Sequence, residues 1–82
     1  MNLCFIIGKI ISDIDFQFVL NSKNISIAIF RIQLSNNSIV KVKAYDEVAD
    51  LCYQILVKND LIAIQGELNS KMEIIINNFN YL

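Results

Sequence analysis

Lys41, Lys43 and Tyr45 alternate along one side of the segment Ile39 to Tyr45, while Val40, Val42 and Ala44 point the other way. Two ammonium groups in line with a phenol ring can pair with anions spaced along a polymer and offer a flat ring for stacking. Residues 25–34 alternate in the same sense. Ala28, Phe30, Ile32 and Leu34 share one side, and Ile29, Arg31 and Gln33 share the other. Ser35-Asn36-Asn37-Ser38 is a turn cluster. Residues 25–45 therefore form a hairpin that sets Arg31 and Gln33 beside Lys41 and Lys43. With Lys9, this group holds four of the seven basic side chains. A single nucleic-acid strand needs such cations for its phosphates and such a ring for its bases, each stacked base being worth roughly 1–3 kcal/mol. Four phosphate contacts would make log affinity fall with log salt at a slope of about −3. Simple alternation on a half-exposed strand produces the same lysine spacing as a solvated face, so the assignment depends on what positions these residues.

Both glycines lie inside strand-like runs: Gly8 in residues 3–11 and Gly66 in residues 61–68. A glycine inside a strand marks a bulge, a barrel corner or a close backbone approach. Residues 12–24 are rich in turn formers around a strand-like Phe16 to Val19, with a turn at Asn21 to Asn24. After Tyr45 the period changes. Asp46 is a suitable N-cap, and Glu47 and Asp50 suit the positive end of a helix dipole. Val48, Leu51, Cys52, Ile55 and Leu56 follow at helical spacing, which predicts a helix from about Glu47 to Val57. Asn59-Asp60 ends it, Asn69-Ser70 turns the chain after residues 61–68, and residues 72–81 form the last strand. The order β-β-β-α-β-β, with one helix between the third and fourth strands, is the plan of an all-β, five-stranded antiparallel OB-fold barrel. Residues 1–82 are expected to make one domain.

Composition narrows the function classes. Lys and Arg number seven against eight Asp and Glu, a net charge of −1. Any affinity for a polyanion must come from local clustering. Cys4 and Cys52 are the only cysteines and there is no histidine, which argues against a metal site; spacing does not decide whether the two pair, and both are expected to be core residues of a reducing compartment. There is no phosphate loop and no nucleophile–base pair. Asp13 and Asp15 read as turn chemistry, and Asp46 and Glu47 as helix capping. The chain is expected to be no enzyme and to need no cofactor. No apolar run reaches membrane-spanning length. Abundant Ile, Asn and Lys suit AT-rich coding, as in a low-GC bacterium or an organelle such as a plastid.

Hydrophobic residues make up 55% of the chain, more than one small core uses. If Cys4, Ile6 and Gly8 face the barrel, then Leu3, Phe5 and Ile7 face outward. These three are expected to form an oligomer or partner interface unless the chain's own helix or last strand covers them. Ile74, Ile75, Ile76, Phe79 and Tyr81 repeat the argument for the last strand.

The same residues carry a resemblance to bacterial single-stranded DNA-binding proteins over nearly the whole chain. Met1-Asn2 through Ile6-Ile7-Gly8-Lys9-Ile10 resembles the family's opening strand. Ser12-Asp13 and Phe16-Gln17-Phe18 are similar to the segment that follows, and Ala28-Ile29-Phe30-Arg31-Ile32 to its second strand. Val42-Lys43-Ala44-Tyr45 with Val48-Ala49-Asp50 resembles the aromatic-ended third strand entering the helix. Leu56-Val57-Lys58-Asn59-Asp60 and Ile64-Gln65-Gly66-Glu67-Leu68 resemble the helix end and the fourth strand, and both glycines fall on family glycine positions. The resemblance implies that Tyr45 is the stacking aromatic and that first strands pair edge to edge in a homodimer or homotetramer. The departures are the absence of Trp, hairpin loops reduced to Ser35–Ser38 and Asn69-Ser70, Glu67 in place of Arg, Asn59 in place of Gly, and no acidic tail after Leu82. The tailless primosomal replication protein N is an equally close resemblance.

Two functions follow as expectations. One is single-stranded DNA or RNA binding by an oligomer in replication, repair or recombination, through Lys9, Arg31, Gln33, Lys41, Lys43 and Tyr45. The other is an interaction subunit that has lost this binding and docks on a protein partner through Leu3, Phe5, Ile7 and the last strand. The expected location is the bacterial cytoplasm or an organelle.

Overall fold

Alternating apolar residues dictate strands with one face inward, and in the computed structural model the strands close on themselves. It describes residues 3–20 and 24–82. Met1-Asn2 and most of the expected turn at Asn21 to Asn24 lie outside the described residues. The elements are β1 (Leu3–Ile10), β2 (Asp15–Val19), β3 (Ile25–Gln33), β4 (Ile39–Tyr45), α1 (Asp46–Ile55), β5 (Leu61–Leu68) and β6 (Ile74–Tyr81). β1 pairs with β5, β5 with β6, β6 with β4 and β4 with β3. β3 returns to β1 through Lys9 opposite Gln33 and Ile10 opposite Ile32. Every pairing in this ring is antiparallel except β4 with β6, which is parallel.

The ring is the five-stranded OB-fold barrel. Its first strand is broken at residues 11–14, so six strand segments appear and the helix follows the fourth. Both pieces lie against β3: β1 beside its C-terminal end, β2 beside residues 25–29. The break is held to β3 at Arg31, whose N–H donates to Ser12 Oγ (2.8 Å) and whose carbonyl accepts from Ile11 N–H (2.9 Å). Asp15 is therefore a strand residue, not part of a turn.

Inside the barrel, Phe30, Ile10, Ile32, Ile62, Ile64 and Val42 are fully buried. Ala49 and Cys52 of α1 join them over β3 and β4. Truncating a core phenylalanine such as Phe30 to Ala costs about 3–5 kcal/mol. Burial pushes the Cys52 thiol up to about 12, which keeps it unreactive. Phe16 of β2 stacks on Tyr53 of α1 at 4.5 Å between ring centres.

Both glycines serve close approach. A Cβ on Gly66 would collide with the carbonyl oxygen of Ile75, beside the bulge between Gln65 and Gly66. A Cβ on Gly8 would lie 2.9 Å from the carbonyl oxygen of Gln33. The helix departs from expectation at both ends. Tyr45 is the N-cap residue with no side-chain cap, Asp46 is the first helical residue at φ 55°, and the helix stops at Ile55. The sharp turn at Asp46 puts Tyr45 at the very end of β4. Asn59, at φ 82°, supplies the left-handed turn that a glycine would otherwise make.

Ile74 and Ile76 are buried in the barrel and Ile75 is half-buried. Most of the last strand's apolar material is therefore core, not docking surface.

Candidate functional site

Strand register assembles the basic face row by row, because directly paired residues share a side of the sheet. Gln33 stands opposite Ile39, Arg31 opposite Lys41, Ile29 opposite Lys43 and Ile27 opposite Tyr45. Lys9 extends the first row, standing opposite Gln33. Lys9, Arg31, Gln33, Lys41, Lys43 and Tyr45 thus lie on one continuous outward face. Same-side residues along a strand are about 7 Å apart, and neighbouring strands about 4.8 Å. Lys9, Arg31 and Tyr45 are exposed, and Gln33, Lys41 and Lys43 are half-buried. Between the polar groups lie Ile27, Ile29 and Ile39, so the face is an apolar floor with cations along it.

Carboxylates also stand on the outward side from strands that carry none of these cations: Glu67 of β5 is exposed and stands opposite Leu3 and Ile75, and two others lie by β3 and β4. Asp15 of β2 stands opposite Ile29 and accepts a long hydrogen bond from the Gln17 amide (3.4 Å). Glu73, just before β6, bridges both lysines. Its Oε2 lies 3.2 Å from Lys41 Nζ and its Oε1 3.3 Å from Lys43 Nζ. Glu73 is only 7% exposed. The Asn69 amide donates to Oε1 at 2.9 Å, and Asn69 Oδ1 accepts the backbone N–H groups of Lys71 and Glu73. The Asn69 hydrogen bond, followed by the two lysines, holds the Glu73 carboxyl at about 2, against a desolvation that raises it. Sequence alternation misses Glu73 because it meets Lys41 and Lys43 only through the parallel pairing of β4 with β6, a contact with no local signal.

The second set of predicted residues lies on β1. Leu3, Phe5 and Ile7 are 55%, 70% and 51% exposed, so neither the helix nor the last strand covers them. β1 pairs with β5 along one edge, and with β3 only at Lys9 and Ile10. Among the described residues, no strand occupies the other edge from Leu3 to Gly8. Shallow grooves run there between Phe5, Ile6 and Ile7 on one side and Leu34, Ser35 and Asn36 on the other.

Among the described residues no group of three His, Cys, Asp or Glu side chains is placed to hold a metal ion. No helix there is long and apolar enough to cross a membrane.

No family model matches the chain, and no curated protein matches it in sequence. Solved structures do match in shape. The SSB domain of a protein from Synechococcus superposes with a TM-score of 0.87 at 19% identity, covering 99% of this chain and 96% of that one. The single-stranded DNA binding protein from Thermus aquaticus gives 0.85 at 16% identity, covering all of this chain and 40% of its own length. A deletion mutant of the Thermus aquaticus protein gives 0.84, also at 16%. At these identities the likeness is one of fold.

Proposed function

We propose that the chain binds single-stranded nucleic acid, DNA in the first instance, across the outward face of β3 and β4. The observation that carries this reading is the register of the two strands. It aligns Arg31, Gln33, Lys41 and Lys43 and ends them on an exposed aromatic ring, Tyr45. Tyr45 is the stacking platform. Arg31 and Lys9 pair with phosphates, Gln33 offers an amide between them, and Lys41 and Lys43 add positive potential. The reading is supported by the likeness to solved proteins described as single-stranded DNA-binding. It assigns the chain no enzymatic step and a role in replication, repair or recombination.

The protein works as a homodimer or homotetramer. Leu3, Phe5 and Ile7 leave an apolar strip along the outward side of β1, and a second copy laid against it covers the strip. Pairing two weak faces raises avidity without new contacts.

The neutralised lysines favour a second reading, a protein-docking subunit without nucleic-acid binding that uses the same β1 strip. Fluorescence anisotropy of labelled oligo-dT separates the two. The first reading predicts saturable binding that weakens with salt and falls by roughly 1–3 kcal/mol in Tyr45→Ala. No binding even at low salt selects the second.

A further inference from the structure

We propose that Glu73 is an internal competitor for phosphate: it occupies the anion subsite of the β3–β4 face and withholds Lys41 and Lys43 from the bound strand. The inference rests on that face being the nucleic-acid surface. Its geometry is that of an occupied anion site. One carboxylate sits between two ammonium groups at 3.2 and 3.3 Å and takes a third donor, the Asn69 amide, at 2.9 Å. A phosphate oxygen would seek the same three donors.

The carboxylate is anchored, not adventitious. The turn that carries it is closed by Asn69 N–H to the Glu73 carbonyl (2.9 Å) and Met72 N–H to the Asn69 carbonyl (3.1 Å). Asn69 Oδ1 adds bonds to the N–H groups of Lys71 and Glu73. A strand approaching Lys41 and Lys43 would have to displace a largely covered carboxylate or accept its repulsion. Arg31 and Lys9 are exposed and stand in neither of the two ion pairs found among the described residues. The phosphate path therefore runs over Arg31 and Lys9. Stacking on Tyr45 carries proportionally more of the affinity than in a face with four available cations.

The test is the salt dependence of oligo-dT binding by the full chain, wild type against Glu73→Gln, an isosteric change that keeps an acceptor for Asn69. Two phosphate contacts give a slope of about −1.4, and four give about −2.8. Between about 50 and 200 mM salt the wild type should lose roughly 7-fold in affinity, and Glu73→Gln roughly 50-fold from a tighter low-salt value. Adding Lys41→Ala and Lys43→Ala to Glu73→Gln should return the slope to that of the wild type. An unchanged slope in Glu73→Gln overturns the inference, as does a gain that survives loss of both lysines. Absence of binding in wild type and Glu73→Gln alike defeats the underlying reading instead. Should Glu73→Gln not fold, the ¹³Cδ resonance of Glu73 in the wild type decides. It should keep its position when oligo-dT saturates the protein, and a large shift would mean that the strand displaces the carboxylate and takes the lysines.

Discussion

Arg31 on β3 and Lys41 on β4 are directly opposed across the sheet, two cations on one face. Like charges in that position destabilise a strand pair. Glu73 relieves Lys41 and leaves Arg31 projecting to solvent. A repulsive pair retained on an exposed face suits a surface that meets an anion. Arg31→Gln should therefore raise stability slightly at low ionic strength while weakening oligo-dT binding. Urea denaturation and anisotropy on the same variant check both signs; a loss of stability would remove this explanation of the pair.

The Glu73 bridge has an acid limit. Its carboxyl is held at about 2, below the ordinary 4.5. A group with a depressed native pKa stabilises the fold above its unfolded value and loses that contribution as pH falls through the native one. The stability difference between wild type and Glu73→Gln should be constant above about pH 5 and shrink between 4.5 and 2. Denaturation midpoints across that window measure it, and a difference that stays constant to pH 2 would show that the bridge does not form in solution.

The two hairpin turns share one geometry with unequal residues. In the first, Leu34 N–H bonds to the Ser38 carbonyl and Asn37 N–H to the Leu34 carbonyl. In the second, Asn69 pairs with Glu73 and Met72 with Asn69 in the same way. Asn37 sits at φ 68° and Met72 at φ 62°. Asparagine tolerates the left-handed region, and methionine does not. Met72→Gly should stabilise by about 1 kcal/mol, a rise of about 5 °C in Tm, with Met72→Asn in between. A fall in Tm would mean that the exposed Met72 side chain makes contacts that outweigh the strain.

What the sequence reveals here divides along the range of the interactions. Alternation in residues 25–34 and 39–45 is a local signal, so the inward and outward sets on β3 and β4 are legible in the order of the residues alone. The barrel plan is legible because each glycine interrupts a strand that must approach a neighbour's backbone. Glu73 is not legible, since a parallel pairing between β4 and β6 leaves no turn or spacing to read. Nor is the strand position of Asp15, where turn-forming Ser12 and Asp13 precede a short pairing with β3. At the helix start, Asp46 has the composition of a cap, but the backbone must reverse sharply after Tyr45 and takes a positive φ at Asp46 itself.

On β1, Phe5 is the most exposed of the three outward apolar residues. A stable association of copies buries about 800 Å² on each partner, more than isolated surface residues provide. Phe5→Asp should convert a concentration-dependent dimer into a monomer in sedimentation velocity while leaving the circular dichroism of the barrel intact. A wild-type protein that stays monomeric at high concentration would assign the strip to a different partner.

Mapping of amide shifts on ¹⁵N-labelled protein titrated with oligo-dT tests the central claim most directly. The account predicts saturable shifts concentrated at Lys9, Arg31, Gln33 and Tyr45, smaller ones at Lys41 and Lys43, and none on α1. Shifts that are absent at low salt, or that gather on α1 and β5 instead, would contradict it.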